Sequence, residues 1–399
     1  MKNIWIIFLF LAIILFFSGC VKEPTKLSNN KTPSGCAYNN PSCDDNQSLY
    51  TNNTYLNENV QSNLPKKFLT LIAVTEAGGS EYNSSNGWAR VLKNRETDNI
   101  QIFDVVLWDN GSTGNPNIIS VYKFDRTFDP FKTDYIDGGQ AWIDYLESFN
   151  IMIVNVPSAC SSAQGALYYE CSNAYLDAFK RIMKVIVQNQ PAEHYGIKYL
   201  GHGSGDGSIF AGKITQPDSE SLFSYVNSLI GKKLDFLDWG YNCTMGTYQV
   251  VSSQYRYANY IISSDLLRGG FVADWANDYY RLKPEGIYDG FFSPSKTIRQ
   301  SLIEMLDSER MFWETPTVQN DMISKQLKQA LSIYDSSKFE DLMIRTKLDQ
   351  SMQSGDAVLD YIRTNYPAEE QKFYDFRFHY ISNKDFFSWD LNSNGFKKN

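Results

Sequence analysis

Histidine is scarce in this sequence, with three imidazoles among 399 residues and no cysteine cluster near any of them. A zinc centre built from several such ligands is therefore not expected. No dense carboxylate loop of the EF-hand kind occurs either, so no metal and no cofactor are expected. The net charge of -8 leaves no basic footprint of the kind nucleic-acid binding uses, which removes DNA and RNA as partners. Residues 201–207 are rich in glycine but lack the Lys-Ser/Thr ending of a phosphate loop. Ser204 follows His202 by two positions where a serine-hydrolase elbow needs glycine. No internal repeat is visible, and no apolar run reaches the roughly 20 residues a membrane-spanning helix needs.

What is present begins with enough apolar material for a large core: 43% hydrophobic and 15% aromatic residues exclude a disordered chain. The N-terminus carries an address. Lys2 precedes an unbroken apolar run of 14 residues, 4–17, and then Ser18-Gly19-Cys20. That pattern predicts an export signal over 1–19. Phe17-Ser18-Gly19-Cys20 is similar to a prokaryotic lipobox, which would make Cys20 the lipidated N-terminus. Residues 20–66 are crowded with Asn, Ser, Thr and Pro and show neither helical nor strand periodicity, as a disordered tether would.

Six cysteines in an exported chain should mostly be paired. Cys36 with Cys43, and Cys160 with Cys171, are close enough to close short loops as disulfides. Cys20 is then assigned to lipid and Cys243 stands alone, either a buried hydrophobe or a reactive thiol.

Beyond the tether the pattern predicts strands at 68–74, 100–107, 118–124, 151–156, 196–200, 234–239 and 258–263, with helices at 139–148, after Cys171 up to Pro191, and from about 245 to 255. The strand at 118–124 is placed as a hairpin partner of the one before it. Strands alternating with helices imply an α/β fold, a mainly parallel sheet covered on both sides. From about 293 to 360 the patterns are helical, and the tail around 373–389 is aromatic and irregular, consistent with a last hairpin. The expected division is a main α/β domain over 67–290 and a mainly helical C-terminal region over 291–399 packed on it.

In such a sheet, ligands bind beyond the carboxyl ends of the strands. His202 directly follows one predicted strand. Cys243 follows another, before a short turn and a helix whose start would favour a thiolate. Neighbouring strands would bring the pair together, as a thiol nucleophile and its proton-transfer partner must be. Gly203, without a side chain, can present its N–H to an oxyanion, alongside the amide of Cys243. The other histidines, His194 and His379, read as surface or packing residues.

These stretches carry a resemblance. Residues 191–195 leading into Leu200-Gly201-His202-Gly203, then Gly240-Tyr241-Asn242-Cys243-Thr244-Met245-Gly246, then 257–265, are similar to the clostripain-like peptidases, which share the caspase-like fold. Weaker similarity runs over 68–109 and 330–338. The resemblance implies a caspase-like three-layer α/β/α sandwich and a catalytic dyad of His202 and Cys243. The family has an Asp two residues before the cysteine, implicated in binding a basic P1 side chain. This chain has Tyr241 there, and Asp265 stands where the family usually has an acidic residue. Asp238, Asp265 and Asp274 are the carboxylates near enough in sequence to replace the missing one.

The expected function is thus a cysteine endopeptidase acting through a thioester, on a peptide or protein substrate. Its expected place is the cell surface or periplasm, held to the membrane by the lipid on Cys20, as a monomer. The competing class is a non-catalytic surface lipoprotein that uses the same fold to bind peptides or partner proteins.

Overall fold

A computed structural model describes residues 66–78, 96–109, 118–127, 145–156, 167–264, 290–347 and 361–386. Excepted within these ranges are 126, 146, 202–204, 206, 210–213, 241, 243–244, 326 and 384. The export signal, the tether, Cys20, Cys36, Cys43 and Cys160 lie outside the described residues, as does most of the helix expected over 139–148.

Nine strands form one sheet: β1 (Lys67–Gly78), β2 (Ile100–Asp109), β3 (Ile118–Tyr122), β4 (Asn150–Asn155), β5 (Ala192–Leu200), β6 (Leu234–Trp239), β7 (Ala258–Ser264), β8 (Ala330–Asp335) and β9 (Arg377–Ser382). Their order across the sheet is β4-β3-β2-β1-β5-β6-β7-β8-β9. The five central strands, β2 to β7 across the middle, pair in parallel. Antiparallel pairs close each side, β2 with β3 and β3 with β4, then β7 with β8 and β8 with β9. The hairpin expectation for 118–124 is met by the antiparallel register of β2 and β3.

Burial on both faces explains why the central strands read as continuous apolar runs. Alternation within β1 sends Leu69 and Leu71 to one face and Ile72 and Val74 to the other, and β2 does the same with Ile102 against Phe103 and Val105. The first face packs α4 (Ile298–Trp313) and α5 (Pro316–Lys325) through Leu302, Met305, Trp313 and Met322. The second packs α1 (Leu167–Asn189), α2 (Gln216–Ile230), α3 (Tyr248–Gln254) and α6 (Ser336–Thr346) through Phe179, Ile182, Phe223, Val251 and Phe339. The short α7 (Glu370–Asp375) adds Phe373 to that core. Two helical layers around the sheet make the three-layer α/β/α sandwich expected from the sequence, but the sheet is mixed, parallel in its centre and antiparallel on both sides.

The stretch beyond 290 is helical but also supplies β8 and β9, which extend the same sheet. The sequence reading has no strand at 330–335, because a six-residue apolar run amid helical patterns cannot be told from a helix segment by periodicity. It also omits α2, although the end signals are written out. Thr215 accepts the Asp218 N–H as N-cap, Pro217 occupies the first turn, and Gly231 closes the helix in the left-handed region at φ 73°.

At the amino end of the sheet, Asp235 ties three segments together. It accepts hydrogen bonds from the Tyr195 N–H at 2.9 Å and Lys232 Nζ at 3.0 Å, and pairs with His194 Nδ1 at 2.9 Å. Burial pushes its carboxyl up, but the hydrogen bonds from His194 and Tyr195 and the charges of His194 and Lys232 outweigh it and hold the pKa below the ordinary value. A depressed carboxylate contributes stability that is present above its unfolded pKa and is lost as pH falls through the folded one. Asp235→Ala should therefore lower the unfolding free energy by roughly 2–4 kcal/mol at neutral pH, with the deficit shrinking below about pH 4. Urea melts of both proteins across pH check this; a deficit independent of pH would contradict it.

Candidate active site

The chain starts its sheet in the middle. From β1 it runs outward through β2, β3 and β4, returns by α1 to β5 on the other side of β1, and continues outward to β9. The order reverses between β1 and β5, and crevices at the carboxyl ends beside such a reversal are where open α/β sheets bind ligands. The segments leaving β5 and β6 at that end carry the residues singled out above.

His202, Gly203, Tyr241, Cys243 and Asp265 lie outside the described residues, as do Ser204 and Asp274. Their neighbours are described and form a connected frame. Asn242 is fully buried, and its side-chain Nδ2 donates to the Gly201 carbonyl at 2.8 Å, across 41 residues of sequence. The Asn242 N–H donates to the Trp239 carbonyl at 2.9 Å, closing a turn directly off β6. One step further, Thr247 Oγ1 donates to the Gly205 carbonyl at 2.7 Å, and the Gly246 N–H donates to the Ser264 carbonyl at 2.9 Å. The loops after β5 and β6 and the last residue of β7 are thereby fastened to one another. The glycines after β5 are needed for conformation as well as room: Gly205 and Gly207 take φ of 74° and 87°, a region that side chains with a Cβ disfavour.

One expectation is corrected. The helix after Cys243 begins at Tyr248 with Thr247 as N-cap, its hydroxyl accepting the Val250 N–H at 3.3 Å. Residues 245–247 belong to the preceding turn because the Gly246 N–H is spent on Ser264. Cys243 thus precedes the helix start by five positions in sequence.

The remaining histidines are accounted for. His194 lies near the amino end of β5, edge-on to Phe68 with ring centroids 4.7 Å apart. His379 lies on β9 with Nε2 3.1 Å from Asp307. Cys171 is disulfide-bonded and buried on α1, its partner lying outside the described residues. Asp238 is not available to a substrate: it is 3% exposed, and its carboxylate faces Lys198 and the Gly240 amide.

The sequence reading overlooks Asp104 and Lys198, both buried in the central strands. The signal was there, since each interrupts an apolar run that is otherwise covered on both faces. An ion taken out of water costs several kcal/mol even after relaxation, so such positions ask for a reason. Among the described residues, no group of three or more His, Cys, Asp or Glu side chains could hold a metal ion, and no helix is long and apolar enough to cross a membrane.

No family model and no curated protein matches this sequence. Solved structures do. A zymogen C11 protease from Parabacteroides distasonis is 12% identical, with TM-score 0.46 over 80% of this chain and 85% of that one. A secreted C11 cysteine protease from Bacteroides thetaiotaomicron, "iotapain", is 11% identical, with TM-score 0.47 over 80% of this chain and 88% of that one. A secreted C11 cysteine protease from the same organism, in complex with an irreversible peptide inhibitor, is 12% identical, with TM-score 0.49 over 82% of this chain and 88% of that one. At such identities and scores the fold assignment rests on this chain's own strand order and register.

Proposed function

We propose that this chain is a clostripain-like cysteine endopeptidase of the caspase-like fold, with Cys243 as nucleophile and His202 as its proton-transfer partner. The reading is carried by the 2.8 Å hydrogen bond from Asn242 to the Gly201 carbonyl, which joins the residue before Cys243 to the residue before His202 at the carboxyl ends of adjacent parallel strands. Two segments pinned one position away from a thiol and an imidazole suit a dyad that must come within hydrogen-bond reach.

In this mechanism the Cys243 thiolate attacks a peptide carbonyl. The Gly203 and Cys243 amides hold the developing oxyanion, His202 protonates the leaving amine, and water hydrolyses the thioester. Tyr241 and Asp265 border the entering P1 side chain. The wider proposal is an exported protein anchored through lipid on Cys20, with 20–66 as tether and Cys36–Cys43 and Cys160–Cys171 as disulfides, acting as a monomer at the cell surface or periplasm.

The test is selective labelling by a thiol alkylator under mild reduction, compared between the native chain and Cys243→Ala, together with a peptide-library cleavage profile. Labelling confined to Cys243 with cleavage of peptides is the expected result. Absence of both leaves a binding lipoprotein as the better reading.

A further inference from the structure

Three ionisable side chains occupy one row across the middle of the sheet. Register sets Asp104 of β2 and Lys198 of β5 on either side of Ala73 of β1, and Lys198 opposite Asp238 of β6. Asp104 and Lys198 are fully buried and Asp238 nearly so, on the face covered by α4 and α5. Burial pushes the Asp104 carboxyl well above the usual carboxylate range, with the Lys198 charge pulling the other way, so its neutral form is favoured. On its other side Lys198 Nζ lies 3.9 Å from Asp238 Oδ2.

The other oxygen of Asp238 does something different. Oδ1 accepts the Gly240 N–H at 2.7 Å, so one carboxylate faces a fixed cation on β5 and the first amide beyond β6. Gly240 starts the turn closed by Asn242 on Trp239, and Asn242 in turn reaches Gly201. A Cβ on Gly240 would come within 2.9 Å of that same Oδ1, so any other residue there would have to displace the oxygen that accepts its N–H. A stabilising role alone accounts poorly for the row, since well-packed apolar residues often replace a buried ion pair without loss.

We infer that Asp238 is a positioning residue whose Oδ1, by accepting the Gly240 N–H, fixes the turn leading from β6 to Cys243. Its catalytic consequence rests on the peptidase reading above; the positioning of the turn does not.

Two double variants separate the roles. Lys198→Met/Asp238→Asn and Lys198→Met/Asp238→Leu both remove the buried charges at similar volume, but only the first keeps an oxygen for the Gly240 amide. Hydrogen exchange of the peptide covering 239–246 is read by mass spectrometry, with kcat and KM on a peptide substrate. The Asn variant is expected to stay within about 3-fold of the native protein in both. The Leu variant should exchange about 10-fold faster in that peptide alone and lose about 10-fold or more in kcat, with KM within about 3-fold. Equal exchange in the two variants, or a rise spread evenly over β1 and β5, overturns the inference. Should either double variant fail to fold, Gly240→Ala leaves the charges in place and should raise exchange in the same peptide; native exchange there overturns it equally. If the native chain cleaves nothing, the peptidase reading fails while the exchange comparison still decides the positioning role.

Discussion

Cys243→Ala should abolish peptide hydrolysis, lowering kcat/KM by on the order of 10,000-fold or more, because no other group can form the thioester. His202→Ala should cost nearly as much. Without the imidazole the thiol has no base to take its proton, and the leaving amine has no proton donor. The two losses should not add: a double variant should be about as slow as either single one, since residues acting as one unit are strongly non-additive. Alkylation at neutral pH gives an independent readout, as His202→Ala should retain the labelled thiol but react more slowly. Unchanged cleavage in either single variant would assign the chemistry elsewhere.

The second large effect concerns a side chain that does no chemistry. Asn242→Ala removes the donor that holds the Gly201 carbonyl, and should lower kcat by about 10- to 100-fold, as a misplacement near 1 Å does in a site that depends on alignment. Stability should fall by roughly 1–3 kcal/mol, the cost of leaving a partly buried carbonyl without its donor. Asn242→Asp is the sharper variant. It keeps the shape yet turns an acceptor toward the carbonyl at a fully buried position, so it should be worse than alanine in both rate and melting temperature. Equal activity of all three proteins would show that the two segments hold their places without this link.

What could be read beforehand follows a physical line. Strands β1 and β2 were legible because burial on both faces writes a near-continuous apolar run, and Lys67–Gly78 and Ile100–Asp109 fall where those runs predict. Antiparallel β8 was not legible, since Ala330–Asp335 is short, and β9, only partly buried along most of its length, was foreshadowed only by the hairpin placed in the tail. Their strand character comes from neighbours supplied far away in sequence. The frame of the site divides the same way. Gly201, Gly205 and Gly207 announce a tight passage after a strand, a local property of glycine. Asn242 announces nothing, because its meaning is a bond to a carbonyl 41 residues earlier. The buried row of Asp104, Lys198 and Asp238 was visible residue by residue but not as a row, since only the pairing register aligns them.

The position of β1 also governs how the chain must assemble. Its two neighbours are Ile100–Asp109 and Ala192–Leu200, so one flank of this first strand stays open until about 120 further residues have been made. Parallel pairings over such separations pay their loop-closure entropy early and are repaid late, which makes nucleation slow. A ribosome or export channel releasing this polypeptide from its amino end therefore delivers a long, core-exposing intermediate, and any fragment ending before β5 lacks the means to close it.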